Sequence, residues 1–180
     1  TYWQSQKDNG QSDAINQGMR HCTGDIVAWL NSDDFYWKDS LWTVAQAFQE
    51  FPDYGMYIGN GFRYKQQEKS YKPFCPHHVA FNRDALINGL DYILQPSTFF
   101  LRKAWEEVGG LQEKLHYVMD WDVILRISEK YPVVTINDFL GVSREYAETK
   151  TSTGKLRRIA EIFDTIQEFS GVEMTTGGLF

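Results

Sequence analysis

Two adjacent carboxylates, Asp33 and Asp34, close the stretch DIVAWLNSDD, where an apolar run stops at polar side chains. Paired carboxylates beside a further oxygen donor, here Asn31, suit a hard divalent ion such as Mg2+ or Mn2+, which prefers oxygen ligands, keeps several waters and takes substrate phosphates. Aspartate is also a favoured turn residue, so the same pair reads as a turn in which Asp33 caps the chain and Asp34 meets solvent. His77 and His78 are neighbours and on a strand would face opposite ways, a poor arrangement for one ion. Cys22 and Cys75 lack the close spacing of a zinc or redox motif and are expected as two buried thiols in a reducing compartment.

The elements that would hold such a corner follow from the apolar pattern. Ile26 to Leu30 is short and uniformly apolar, which predicts a central strand of a mostly parallel sheet. Before it, a turn at Asp8, Asn9 and Gly10 leads to a helix carrying Ala14, Ile15, Met19 and Cys22, ended by Gly24. After it, Asp39 or Ser40 caps a helix with Leu41, Ala45, Phe48 and Phe51 in one stripe, closed by Pro52. Helix, strand and helix in alternation define an α/β fold. Further on, YGMYIGNGFRYKQQEKSYKPF predicts a strand and a small β-hairpin, Arg83 to Asn88 a short helix, STFFLR a strand, and KAWEEVGGL a helix stopped at Gly109 and Gly110 by a left-handed cap. A helix is expected from about Asp120 to Pro132 with Trp121, Ile124, Leu125 and Ser128 on one face, then a strand in VVTIND. The last helix, 154–170, is expected to turn Leu156, Ile159, Ile162, Phe163 and Ile166 inward, ahead of a flexible tail over 171–180.

With 180 residues, 42% of them hydrophobic, the chain can bury roughly 70% of its unfolded surface in one core. A net charge of -6 argues against a nucleic-acid partner, because phosphate neutralisation needs clustered Lys and Arg. No apolar run approaches the ~18 residues of a membrane-spanning helix. A cytoplasmic protein is expected, with peripheral membrane association left open.

Four segments in order resemble the family 2 glycosyltransferases of GT-A (Rossmann-like) fold. DNGQSDAINQGM is similar to the family's Gly-Lys-x-x-Ala-x-Asn-x-Gly segment, TGDIVAWLNSDD to the strand bearing its DxD signature, QPSTFFLRKAWEEVGGLQEKLHYVMDWDVILRI to the stretch ending in its catalytic carboxylate, and TKTSTGKLRRIAEI to a Ser-Lys-Thr linker. The resemblance implies transfer of a sugar from a nucleoside-diphosphate-sugar donor to a glycan or lipid-linked acceptor hydroxyl, with inversion, aided by Mn2+ or Mg2+. By the same resemblance Asp33, matching the final Asp of the DxD pattern, is the metal ligand with Asp34 in reserve; Gln11, Asn16, Asn31 and Asp33 lie on the donor; Asp120 is the catalytic base; and Gln95 and Ser97 line the acceptor side. Asp13 is assigned to the dipole of its helix and Asp122 to the surface or a supporting position. Arg144 matches a family arginine, and Tyr146 stands where a histidine is often found.

Departures qualify the match. Asn31 replaces the first Asp of the DxD pattern and removes one charge, and Gln11 stands where the family often has Lys. The opening TYW reads as the tail of a strand, and the family's preceding strand, helix and strand are not in this sequence, which implies an N-terminally truncated domain over 1–150 with weak or no activity. Two rival classes remain open here: a non-catalytic sugar-nucleotide or glycan-binding module, and a metal-dependent hydrolase or phosphotransferase using Asp33, Asp34 and Asp120.

Overall fold

A computed structural model describes residues 2–75, 79–146 and 154–171, without the side chain of Lys155. His77, His78 and the tail beyond residue 171 lie outside the described residues. At Asp8 to Gly10 the chain forms the expected turn: the Asp8 carboxylate accepts the Gly10 N–H at 3.0 Å, and Gly10 adopts a φ of 119°, a region open to glycine. From there run α1 (Gln11–Met19), β1 (Ile26–Val27), β2 (Phe35–Tyr36), α2 (Ser40–Glu50), β3 (Met56–Lys65) and β4 (Ser70–Pro73). A short α3 (Arg83–Ile87) and a 3-10 turn (Gln95–Ser97) precede β5 (Thr98–Leu101), α4 (Arg102–Glu107), α5 (Met119–Lys130), β6 (Val133–Glu145) and α6 (Lys155–Ser170).

The strands form one sheet in the order β1-β5-β3-β6-β2, with β4 paired to the far half of β3. Only β3 and β6 pair in parallel; the other four pairings are antiparallel, so the sheet is mixed where a mostly parallel one is expected. The physical reason lies in β5. It follows the 3-10 turn directly and inserts between β1 and β3 against their common direction, an arrangement that needs no crossover helix.

Both faces of this sheet are covered, and side chains alternate between them. Val27, Met56, Ile58 and Phe100 face a core shared with Val123, Ile124 and Ile127 of α5, whereas Tyr57, Phe99, Val134 and Leu140 face Val44 of α2. Burial of this kind contributes roughly 25 cal/mol per Å² of apolar surface. The predicted left-handed stop after α4 is present, with Gly109 and Gly110 at φ 79° and 71°.

Several faces differ from expectation. Tyr2 and Trp3, expected at the tail of a strand, are exposed without regular structure. On α1 Ala14 points outward, and α2 buries Val44 with Ala47 and Phe48 beside it, leaving Leu41 and Ala45 in solvent. Asp39 caps α2 only by its backbone, in a left-handed conformation at φ 60°, with no side-chain bond. On α6 Leu156 and Ile159 are exposed while Thr165 and Ile166 are buried. Cys22 is exposed and Cys75 half-buried, not a pair of core thiols. The largest difference is β6, which continues past VVTIND to Glu145 through irregular register at Ile58, Asn60 and Gly61 of β3.

Candidate functional site

β6 is what brings the acidic turn into position. Its outer part pairs with β2, and the Ser40 hydroxyl donates to Leu140 O at 2.7 Å, tying the chain after the acidic turn to the strand. Further along, the Arg144 N–H donates to Asp34 Oδ1 at 3.0 Å and the Tyr146 hydroxyl to Asp33 Oδ2 at 2.8 Å. Gly141 allows a close crossing. A Cβ there would stand 2.3 Å from Pro96 O, so only glycine lets the 3-10 turn carrying Gln95 lie against β6.

Asn31 is the hub of the corner. Its amide nitrogen donates to Asp34 Oδ2 and to Gln95 Oε1, each at 3.1 Å, and its Oδ1 accepts from Gln11 Nε2 at 2.9 Å. Gln95 completes the frame by donating to Trp29 O at 3.0 Å. Both Asp34 oxygens are therefore engaged in building the turn. Burial pushes the Asp34 carboxyl above its ordinary range, against the opposing pull of the Arg144 and Asn31 N–H groups. Asp33 has one oxygen on Tyr146 and projects into the cleft.

That cleft has a volume of about 1060 Å³, and its lining includes Gln11, Asn31, Asp33, Asp34, Gln95 and Asp120. The acidic turn and the start of α5 thus meet in one cavity. Asp120 is the second residue of α5, and its Oδ1 accepts the Trp121 N–H at 2.9 Å. The β3–β4 hairpin and α6 close other sides: Arg63 lies 4.4 Å over the Phe74 ring and pairs with Glu145, Lys65 pairs with Glu68, and Arg158 reaches Asp91 at 4.0 Å. These exposed pairs shape the rim and contribute little stability.

Two predicted site residues stand apart from the cleft lining. Asn16 is locked to α4's exit, donating to Leu111 O at 2.8 Å and accepting the Leu111 N–H at 2.9 Å. Ser97 is fully buried, its hydroxyl donated to Asn60 O. Of the two positions expected for Asp122, the surface one is excluded: it is 1% exposed, bonded to Arg126 and Gln112, while Arg126 also binds Val108 O and Gly110 O. Asp13 is buried as well and accepts from Asn9 N and Gln17 Nε2, closing the first turn of α1. Sequence reasoning passed over His116, Tyr117 and Arg158, which also line the cleft; no spacing marks them, because α6 and the loop before α5 meet only in the fold.

Among the described residues no group of three His, Cys, Asp or Glu side chains converges as a metal cage. The donor chemistry suits a hard ion held by one carboxylate, with the remaining ligands from phosphate oxygens and water. Asp33 retains an oxygen for that purpose, whereas Asp34 has spent both on neighbouring N–H groups.

A mixed sheet between helical layers, with a carboxylate-lined cleft along one side, defines a GT-A glycosyltransferase fold, and solved structures agree. A mannosyltransferase from Pyrobaculum calidifontis in complex with GDP-Man and Mn2+ superposes with a TM-score of 0.59 at 15% identity, covering 95% of this chain and 46% of its own. TarS of S. aureus in complex with UDP-GlcNAc gives 0.63 at 13% identity, covering 94% and 50%. The sequence profile of glycosyl transferase family 2 matches residues 1–109, and the chain belongs to that family. An uncharacterized glycosyltransferase of Mycobacterium tuberculosis is 28% identical over 167 residues, 89% of this chain, and Escherichia coli chondroitin synthase is 25% identical over 148 residues, 74% of this chain. The chain spans 62% of the mycobacterial relative and 19% of the chondroitin synthase. Asp120 lies beyond the matched residues, so its case rests on the cleft.

No helix among the described residues is long and apolar enough to cross a membrane.

Proposed function

We propose that this protein transfers a sugar from a nucleoside-diphosphate-sugar donor to an acceptor hydroxyl with inversion, using Asp33 toward the diphosphate and Asp120 as general base. The observation that carries the reading is that Asp33 and Asp120, 87 residues apart in sequence, line one cleft. Mn2+ or Mg2+ held by Asp33 would supply charge neutralisation to the departing diphosphate, a contribution of several kcal/mol in enzymes of this kind. Asn31, without charge, bonds Gln11 and Asp34 and is itself held by Gln95, which fixes the wall on which the donor rests. Asp120 accepts the proton of the attacking hydroxyl, a step that typically contributes about 10² to 10⁴ in rate. That the P. calidifontis neighbour was solved with GDP-Man and Mn2+ supports the choice of ligands.

The test uses the complete gene product with UDP-GlcNAc and GDP-mannose as donor probes. Asp120→Asn is expected to abolish nucleoside diphosphate release while leaving donor binding intact, and Asp33→Ala to remove the metal dependence of binding. Turnover within a few-fold of wild type in Asp120→Asn would reject the base assignment. Donor binding without any turnover in the unaltered protein would favour a binding module of the same fold.

A further inference from the structure

α6 lies outside the residues matched by the family profile, yet it grips the loop that leads into Asp120. Glu161 of α6 points one carboxylate oxygen at two consecutive backbone amides: Oε2 accepts the His116 N–H at 2.9 Å and the Tyr117 N–H at 2.6 Å. Its side chain is 14% exposed, so these charge-assisted bonds are sheltered from water. The loop is pinned from the other side by α1. Ser12, itself buried, donates its hydroxyl toward Leu115 O at 3.2 Å and Met119 Sδ at 2.9 Å. Gly154, at the entry to α6, lies close under the same loop: a Cβ there would stand 2.6 Å from the Tyr117 ring. The far end of α6 is anchored independently, with Ile166 buried and Phe169 packed against the main core.

Residues 115–119 are thus held between two helices immediately before Asp120, while Asp122 N–H to Val118 O, at 2.9 Å, starts α5 from the clamped segment. We propose that Glu161 is a positioning residue: through the His116 and Tyr117 amides it fixes the direction in which the first turn of α5 presents Asp120 to the cleft. This rests on the reading of Asp120 as the base. Arg157, at 3.9 Å, is the cation nearest the Glu161 carboxylate in the ion pairs of α6, and the Arg158 side chain of the adjoining residue lines the cleft itself. The helix therefore contributes to the site in two places.

The experiment compares Glu161→Ala, Glu161→Gln and Asp120→Asn in the complete gene product. Nucleoside diphosphate release from UDP-GlcNAc and GDP-mannose with Mn2+ is measured beside amide hydrogen exchange. Glu161→Ala is expected to lower kcat about ten-fold or more with the donor KM unchanged, and to speed exchange in 113–122 about ten-fold while 56–62 stays protected. Glu161→Gln, which keeps an acceptor oxygen for the two amides, is expected to recover most of both. Unchanged exchange in 113–122, an unchanged kcat, or exchange rising equally across the whole fold would each overturn the assignment, and the exchange result decides alone if neither probe is turned over. Asp120→Asn separates the two claims. Its loss of turnover beside a Glu161→Ala variant of full rate rejects the clamp alone, whereas full rate in Asp120→Asn rejects the base and this assignment with it.

Discussion

Asp120 and Asp122 are two residues apart and of one chemistry, yet the structure gives them opposite consequences on mutation. Asp122 is 1% exposed and bears the charge that faces Arg126, whose side chain is 19% exposed. Removing one partner of a buried pair typically costs about 3 to 5 kcal/mol. Arg126 keeps two carbonyl acceptors, Val108 O and Gly110 O, and a fraction of solvent contact, which places Asp122→Ala near about 3 kcal/mol on that scale. At roughly 2 to 4 °C per kcal/mol for a domain of this size, the melting temperature falls by about 6 to 12 °C. Asp120 sits at the start of α5, where Asp120→Asn removes a favourable helix-end charge of about 0.5 kcal/mol. Thermal melts followed by circular dichroism are expected to rank Asp122→Ala far below Asp120→Asn, and turnover is expected to rank them by a different cause, with Asp120→Asn folded but without activity under the proposed base role. If Asp122→Ala melts with the wild type, the buried pair does not hold the Gly109–Gly110 turn and the division of labour is wrong.

Gly141→Ala forces a Cβ to within 2.3 Å of Pro96 O, a backbone atom that no rotamer change can move, so the 3-10 turn and Gln95 must shift. Loss of stability together with weakened donor binding is expected in melts and calorimetry, because Gln95 holds the donor-side Asn31, and a variant with unaltered donor affinity would show that Gln95 does not keep Asn31 in place. Asp34 gives a pH prediction. Its folded pKa is raised by burial, so the stability linked to it is fully present below the ordinary aspartate value and is lost as pH climbs through the raised midpoint. Carbon-detected titration should find the Asp34 midpoint above the ordinary value; a midpoint at or below it would mean that the N–H groups of Arg144 and Asn31 outweigh burial.

Much of this fold is legible in sequence because its signals are local. The Asp8 to Gly10 turn, the hairpin around KQQEK, the strand in STFFLR and the glycine stop after α4 each depend on residues within a few positions of one another, and each is found where its pattern places it. Strand direction is not local, and the insertion of β5 between β1 and β3 leaves no mark in its apolar run. β6 shows the same limit. Asp138 and Gly141 interrupt the alternation that announces a strand, although the register irregularity against β3 and the close approach of Pro96 explain both. The acidic corner is readable as chemistry, but which carboxylate stays available depends on partners 110 and 113 residues away, Arg144 and Tyr146. Glu161 is equally silent in sequence: an ordinary helical glutamate becomes a clamp only because α6 packs over the loop before α5.

Mn2+ is paramagnetic and broadens nearby NMR signals, which gives the most direct view of whether one bound donor lies between the acidic turn and α5. With Mn2+ and UDP-GlcNAc or GDP-mannose added, the indole N–H of Trp121, beside Asp120 in the cleft lining, is predicted to broaden well beyond its width with Mn2+ alone. Asp33→Ala is predicted to restore the Trp121 signal. Metal and donor bound with Trp121 still sharp, or broadening that persists in Asp33→Ala, would contradict a shared site.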